Sequence, residues 1–348
     1  MIQESIPAEE DHYCELLTEM LRAKMIRENP GTMHRDAHPK QHGLVKARFS
    51  VSNNLAPEFC VGVFQPGVEY NAWVRFSNQN APPQADNKKD IRGAAIKLLN
   101  VEGEKISVAD GNQTSQDFIT ITTPVFVTHD VKEFCGLIKA LVTGKLALLW
   151  HFLRNPRSLF NLLKSNKNYS SPLNARYWST TPYLFGADKV VKYSLIPQSR
   201  SMIKNESQQG DNFLRENMAK QLQDTTCSFD FCVQVQINPK KMPIEDPGKL
   251  WKESLSPFIK LATLTIPPQI FDTEEQNAYG LKLSFNPWHS LPAHQPLGGI
   301  NRARRKIYNS LSEFRHKTNH WHRQEPIDFN IPTATESPCP TSPEKPMQ

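Results

Sequence analysis

Short β-rich runs parted by turn clusters constrain this chain's fold more than any other feature. The first set is LVKARFSV (44–51), FCVGVF (59–64), YNAWVRFS (70–77), GAAIKLLNV (93–101) and DFITITT (117–123). Clusters such as NAPPQADNKKD (80–90) separate them. Strands resume with VVKYSLIP (190–197), CSFDFCVQVQI (227–237), FIKLATLTIP (258–267) and GLKLSFNP (280–287). Many short strands at such spacing fold as an antiparallel barrel or sandwich. With eight or nine strands, added helices, no internal repeat and no break in composition, the 348 residues read as one α+β domain.

Three helical stretches frame the strands. Residues 8–28 carry apolar positions near helical spacing, and Pro30 and Gly31 stop them. A second block runs from about 130 to 166. Its latter half, KLALLWHFLRNPRSLFNLLK (145–164), is apolar with basic punctuation. Lys139, Lys145 and Arg154 keep every apolar run below the ~18 residues of a membrane span. This block reads as helices packed on the barrel, or as a basic amphipathic surface touching membrane through residues 145–166. The last helix is NRARRKIYNSLSEFRH (301–316). The domain limits are therefore a helical segment (1–29), a main domain (30–322) and a Pro/Ser/Thr-rich disordered tail (323–348).

Charge and cysteines narrow the function classes. Forty-one basic against 35 acidic residues leave a net charge of +6, too mild an excess to argue for nucleic-acid binding. The N-terminus MIQESIPAEEDHYCELL is acidic and lacks the apolar run of a secretory signal. Among six cysteines only Cys227 and Cys232 are close, and their odd spacing sets them on opposite faces of a strand. All six read as thiols of a cytoplasmic protein.

The last helix holds the most informative spacing. Arg304, Tyr308 and Arg315 fall at i, i+4 and i+11 and share one helical face. A guanidinium one turn from a phenol favours the phenolate. A phenolate suits ferric iron, and tyrosine is an axial haem ligand in some proteins. Arg315 would offer a planar fork to a haem propionate. The same spacing also fits a solvated basic face.

Further motifs point the same way. RDAHPKQHG (35–43) contains R-x-x-H-x-K-x-x-G at Arg35, His38, Lys40 and Gly43. WVRFSN, with Arg75 and Ser77, follows; then DIRGAAIKLL from Asp90 and TTPVFVTHD from Thr122. In this order, with RRKIY near the end, the set resembles the haem catalase family. The match covers roughly residues 30–320. It lacks the family's long N-terminal arm and its C-terminal flavodoxin-like extension, and HQPLGGINRARRKIY is similar to the small "mini" catalase-related branch.

The resemblance implies an eight-stranded antiparallel β-barrel with surrounding helices and a C-terminal helix bearing the proximal tyrosine. It implies haem b as cofactor, with Tyr308 as iron ligand and Arg304 keeping it ionised. His38 would be the distal base, moving a peroxide proton from the inner to the outer oxygen. Ser77 would fix its tautomer. Arg35, Arg75 and Arg315 would bind propionates. Phe134 would stack on the haem, with Phe126 nearby. The family's distal asparagine is missing before TPVF, where Ile121 or Thr122 takes its place. Thr122 would offer a weaker donor; Ile121 would offer none. That departure directs expectation to a larger, apolar substrate such as a lipid hydroperoxide, and to peroxidase chemistry. Relatives of the allene oxide synthase type carry threonine before the distal histidine, where this chain has Ala37.

Other histidines carry less. His42 with His38 would suit zinc only on a helix, and Pro39 stands between them. His316, His320 and His322 in HKTNHWHR also look metal-binding, but the cluster lies past the matched region. Three functions follow: a haem enzyme acting on peroxides, a haem-binding protein of little activity, and a peripheral membrane protein.

Overall fold

The computed structural model describes residue 2 and residues 4–106, 114–165, 167–198 and 209–332. Helix α1 (Glu10–Glu28) precedes strands β1 (Lys40–Val51), β2 (Glu69–Asn78), β3 (Arg92–Leu98) and β4 (Gln116–Ile121). Helices α2 (Val131–Thr143), α3 (Lys145–Arg154) and α4 (Pro156–Ser165) follow. The second strand group is β5 (Tyr177–Trp178), β6 (Tyr183–Phe185), β7 (Lys189–Pro197), β8 (Cys227–Val235) and β9 (Phe258–Ile266), with α5 (Phe213–Gln221) before β8. Helices α6 (Glu274–Lys282) and α7 (Gly299–Thr318) come last.

All pairings are antiparallel, in the order β4–β3–β2–β1–β9–β8–β7. The short β5 and β6 both lie along the free edge of β7, and β5 also joins β4 through Ile121 and Trp178. They are two pieces of one interrupted strand. The sheet thus closes as an eight-stave barrel, which removes its edges.

Inward positions fill the barrel with aromatics. Phe118 meets Phe231 edge-on at 4.8 Å and Tyr193 at 5.1 Å. Phe49 and Phe64 pack in the same cluster. The interior is a packed core, so any ligand site must lie outside it.

Seven of the nine expected strands form. FCVGVF does not: Pro57 starts a short 3-10 turn over Pro57–Phe59, and Gly62 turns the chain at φ +53°. A Cβ at Gly62 would stand 2.3 Å from His294 Nε2. Phe59, Val63 and Phe64 are nonetheless buried, so the segment plugs the barrel with strand-like hydrophobicity. GLKLSFNP also fails as a strand. Thr273 caps α6 by accepting from the Gln276 amide, and the helix runs through Lys282. The piece missed from the pattern was the interrupted strand at 177–185, too short to show alternation.

Part of the expected disordered tail is anchored. Lys97, fully buried, bonds Asp117 at 2.9 Å and Glu325 at 2.6 Å. Burial opposes its charge, but Asp117 and Glu325 outweigh that and hold the ammonium above its ordinary pKa. Phe329 stacks edge-on against Trp73 at 5.3 Å, and the indole N–H of Trp73 donates to the Asp328 carbonyl. Residues 333–348, with Cys339, lie outside the described residues. The other five cysteines are free, and Cys227 faces the barrel core.

Candidate active site

Strand parity puts the candidate residues on the barrel's outer wall. Val74, Phe76, Ala94 and Phe118 point into the core. Their neighbours Arg75, Ser77, Gly93, Ala95 and Ile119 therefore point outward. Register aligns them in two rows, Arg75–Ala95–Ile119 and Ser77–Gly93–Ile121. Glycine and alanine in the middle strand leave a flat, shallow floor. Over it lies a cavity closed by residues 35–38, Met25, Phe285 and α7 residues Ile307, Tyr308, Leu311 and Arg315. It encloses about 920 Å³ of empty space, its open mouth included.

His38 enters from a bend. Its φ is +59°, which a non-glycine residue adopts only when its surroundings hold it there. The His38 amide donates to the Gln79 carbonyl at 3.0 Å, and the His38 carbonyl accepts from Arg75 Nη2 at 2.9 Å. The ring's Nδ1 sits 3.1 Å from Ser77 Oγ. A Cβ on Gly93 would stand 2.7 Å from two His38 ring atoms and 3.1 Å from Ser77 Oγ, so only glycine leaves room for this pair. Burial, then the charges of Arg75, Arg304 and Arg35, push His38 down to about 3. The imidazole is neutral at physiological pH.

Tyr308 faces the same cavity from α7. Arg304, one turn earlier, donates to its oxygen from Nε at 3.3 Å and Nη2 at 3.1 Å. The i, i+4 pairing expected of this helix is therefore present.

Three guanidiniums gather at the cavity. Arg35 donates to the Gly280 carbonyl at 3.2 Å and to the Leu283 carbonyl. Arg315 donates to the carbonyls of Leu281 and Leu283. These carbonyls lie at the C-terminal end of α6, where helical C=O groups lack partners and the dipole favours cations. Arg75 donates from Nε to Gln41 Oε1 at 3.0 Å. None of the three has an ion pair with a carboxylate among the described residues. Burial lowers Arg35 to about 10; Arg75 and Arg315 are lowered by burial and by their neighbouring guanidiniums. Such mutual repulsion marks a place for a ligand with negative charge.

Three expected residues lie elsewhere. Thr122 is buried, and its hydroxyl accepts from the Arg92 amide at 3.0 Å. Ile121 is the residue in the row with Ser77 and Gly93. Thr120 lines the cavity, but its hydroxyl donates to the Ala94 carbonyl at 2.6 Å. Phe126 and Phe134 meet edge-on at 5.3 Å in the cluster that α1, α2 and α7 form, rather than on the cavity wall. The capping bond from the Glu133 amide to Asp130 starts α2 there and carries Phe134 into that cluster. His42 is buried and bonds Asn78 at 2.5 Å; His316 bonds the backbone of Ser312 and Lys282. Among the described residues no group of three or more His, Cys, Asp or Glu is placed to hold a metal ion. Gly93 and Ala95 were the site positions that pattern reading missed. Their signal was available: a Gly-Ala-Ala run inside a strand marks a close approach.

Comparisons with known proteins agree with this architecture. The family profile described as Catalase matches residues 21–292. A protein of Mycolicibacterium paratuberculosis (strain ATCC BAA-968 / K-10), described as "Catalase-related peroxidase", is 26% identical over 264 residues, 72% of this chain and 79% of that protein. The fold is similar to a fungal catalase with TM-score 0.63 at 15% identity, over 94% of this chain and 71% of the other. A bacterial catalase gives TM-score 0.64 at 15% identity, over 99% and 69%.

Proposed function

The chain belongs to the catalase family, and on that premise we propose a haem-dependent peroxidase of the small catalase-related branch. The carrying observation is one cavity lined by His38, Tyr308 and three guanidiniums that no carboxylate neutralises among the described residues. The residues fit haem. Two propionates suit Arg35, Arg75 and Arg315, whose forks match carboxylates. The flat floor of Gly93 and Ala95 suits a planar ring. Tyr308, with two bonds from Arg304, suits an oxygen ligand to iron. When bound, haem supplies the redox centre on which the O–O bond is broken.

The chain's own residues supply proton control. With Nδ1 engaged by Ser77, the other nitrogen of the neutral His38 ring is left to the substrate. It accepts the proton from the inner peroxide oxygen and returns it to the outer one, which then leaves more easily. Gly93→Ala is expected to displace the imidazole and lower turnover about a hundredfold while haem absorption persists, as steady-state kinetics and a visible spectrum would register.

The substrate we favour is an organic hydroperoxide. Ile121 lies where the family's distal asparagine is expected, and an alkyl side chain gives hydrogen peroxide no hydrogen bond. On the His38 side of the cavity, Ala95 and Ile119 of the barrel wall offer apolar surface instead. The full chain, purified with haem, should show a Soret band with tyrosinate features. Its kcat/KM for a fatty-acid hydroperoxide should exceed that for oxygen evolution from hydrogen peroxide by at least about tenfold. The absence of a Soret band would sink the haem reading. Fast oxygen evolution without organic turnover would sink the substrate reading alone. Haem binding with neither turnover would favour the low-activity haem protein. An allene oxide product would favour the rearranging relatives, against which Ala37 argues.

A further inference from the structure

Two consecutive helices turn their apolar side to solvent. α3 exposes Leu146, Leu149, Trp150 and Leu153, a stripe at i, i+3, i+4 and i+7. Its one buried side chain is Phe152. α4 exposes Leu159, Phe160 and Leu163, and buries Ser158, Asn161 and Ser165. A helix on a globular domain ordinarily turns its apolar stripe to the core. Here that arrangement is reversed in both, with Leu146 76% and Trp150 62% exposed.

The charge around this face is one-sided. From residue 134 to residue 187 the chain has no Asp or Glu, and seven Lys or Arg. Lys139, Lys145, Arg154 and Lys164 are exposed beside the apolar stripe. The Lys164 ammonium lies 4.1 Å from the centre of the Phe160 ring. Arg157 and Arg176 are the exceptions, paired with Asp246 at 2.8 Å and with Glu253 at 3.0 Å.

This combination selects the occupant. A twofold contact between copies would set the patch against itself. Its cations would then meet one another, with no acid in the stretch to pair them, while the two acids that border it, Asp130 and Glu133, already bond His129. An anionic lipid surface answers both features: its phosphates take the cations, and its acyl boundary takes Leu, Trp and Phe. Each helix has ten residues, about 15 Å, so neither spans a bilayer. Among the described residues no helix is long and apolar enough to cross a membrane.

We propose that α3 and α4 dock this protein on the surface of anionic phospholipid bilayers, through the exposed apolar stripe and its rim of lysine and arginine. Docking would hold the protein at the phase where apolar hydroperoxides reside. The test reads binding, so its outcome is independent of the enzymatic reading. The full chain is sedimented with phosphatidylcholine vesicles, with and without about one third phosphatidylserine. Pelleting is expected with the anionic vesicles, reduced at least about tenfold without phosphatidylserine or in high salt. Leu149→Ser with Trp150→Ser, and separately Lys145→Glu with Lys164→Glu, should each weaken binding at least about tenfold. Thermal unfolding should be unchanged, because all four side chains are exposed. No pelleting with anionic vesicles, or variants that bind like wild type, would overturn the proposal. So would a wild-type dimer that Leu149→Ser with Trp150→Ser turns into a monomer without any vesicle binding, since a second copy would then cover the face.

Discussion

Tyr308→Phe is expected to lose haem while keeping the fold. The substitution removes one oxygen and leaves the ring, which borders the α1–α2–α7 cluster. It deletes the proposed iron ligand, the one side chain in the cavity that is both hydrogen-bonded to Arg304 and suited to hold iron. Losing an outer partner of a metal ligand weakens binding about 10–100-fold, so losing the ligand itself should cost at least about a hundredfold. Titration with haem followed at the Soret band measures this. Circular dichroism should show an unchanged fold, because α7 is held by Ile300, Ala303, Ile307 and Leu311 rather than by the phenol. Wild-type affinity in Tyr308→Phe would remove Tyr308 from the proposed site.

His38→Ala should separate binding from chemistry. The proposed propionate partners and the proposed ligand Tyr308 remain, so the Soret band should persist. Peroxide turnover should fall about 10²–10⁴-fold, the usual range for a positioned acid–base group. Unchanged turnover would rule out His38 as the proton carrier. The pH response adds a second check. His38 is pushed down to about 3 in the folded chain, from 6.5 in the unfolded one. Between those values the unfolded state binds a proton there and the folded state does not. Stability therefore falls as pH falls through that window, by at most about 1.4 kcal/mol per pH unit from this residue. Urea unfolding of His38→Ala should accordingly depend less steeply on pH from about 6.5 downward than that of wild type. Wild-type turnover should show no acid limb from His38 above about pH 4, since the base form is already present.

Much of this site was legible in the chain. Arg304 and Tyr308 share a helical face by spacing alone, and the structure joins them by two hydrogen bonds. Arg75 and Ser77 share a strand face by parity, and both reach the cavity. The register across β2, β3 and β4 was not legible. It separates Ile121 from Thr122, neighbours in sequence that a one-residue shift exchanges between faces. FCVGVF was misread because burial imitates a strand where a loop plugs a barrel. The start of the expected tail, residues 323–332, was misread because its composition hides Glu325 and Phe329, which have partners 228 and 256 residues away.

The division follows from the range of the forces involved. Which side chains can titrate, ligate or line a face is set by residue type and local period, and the sequence by itself determined those. Which of them meet is set by packing between distant segments. Only the tertiary structure decided that carbonyls at the end of α6 hold Arg35 and Arg315, that Gly93 makes room for His38, and that the apolar stripe of α3 faces out. Each of these is a contact, or a missing contact, between elements far apart in the chain, and no local pattern encodes its partner.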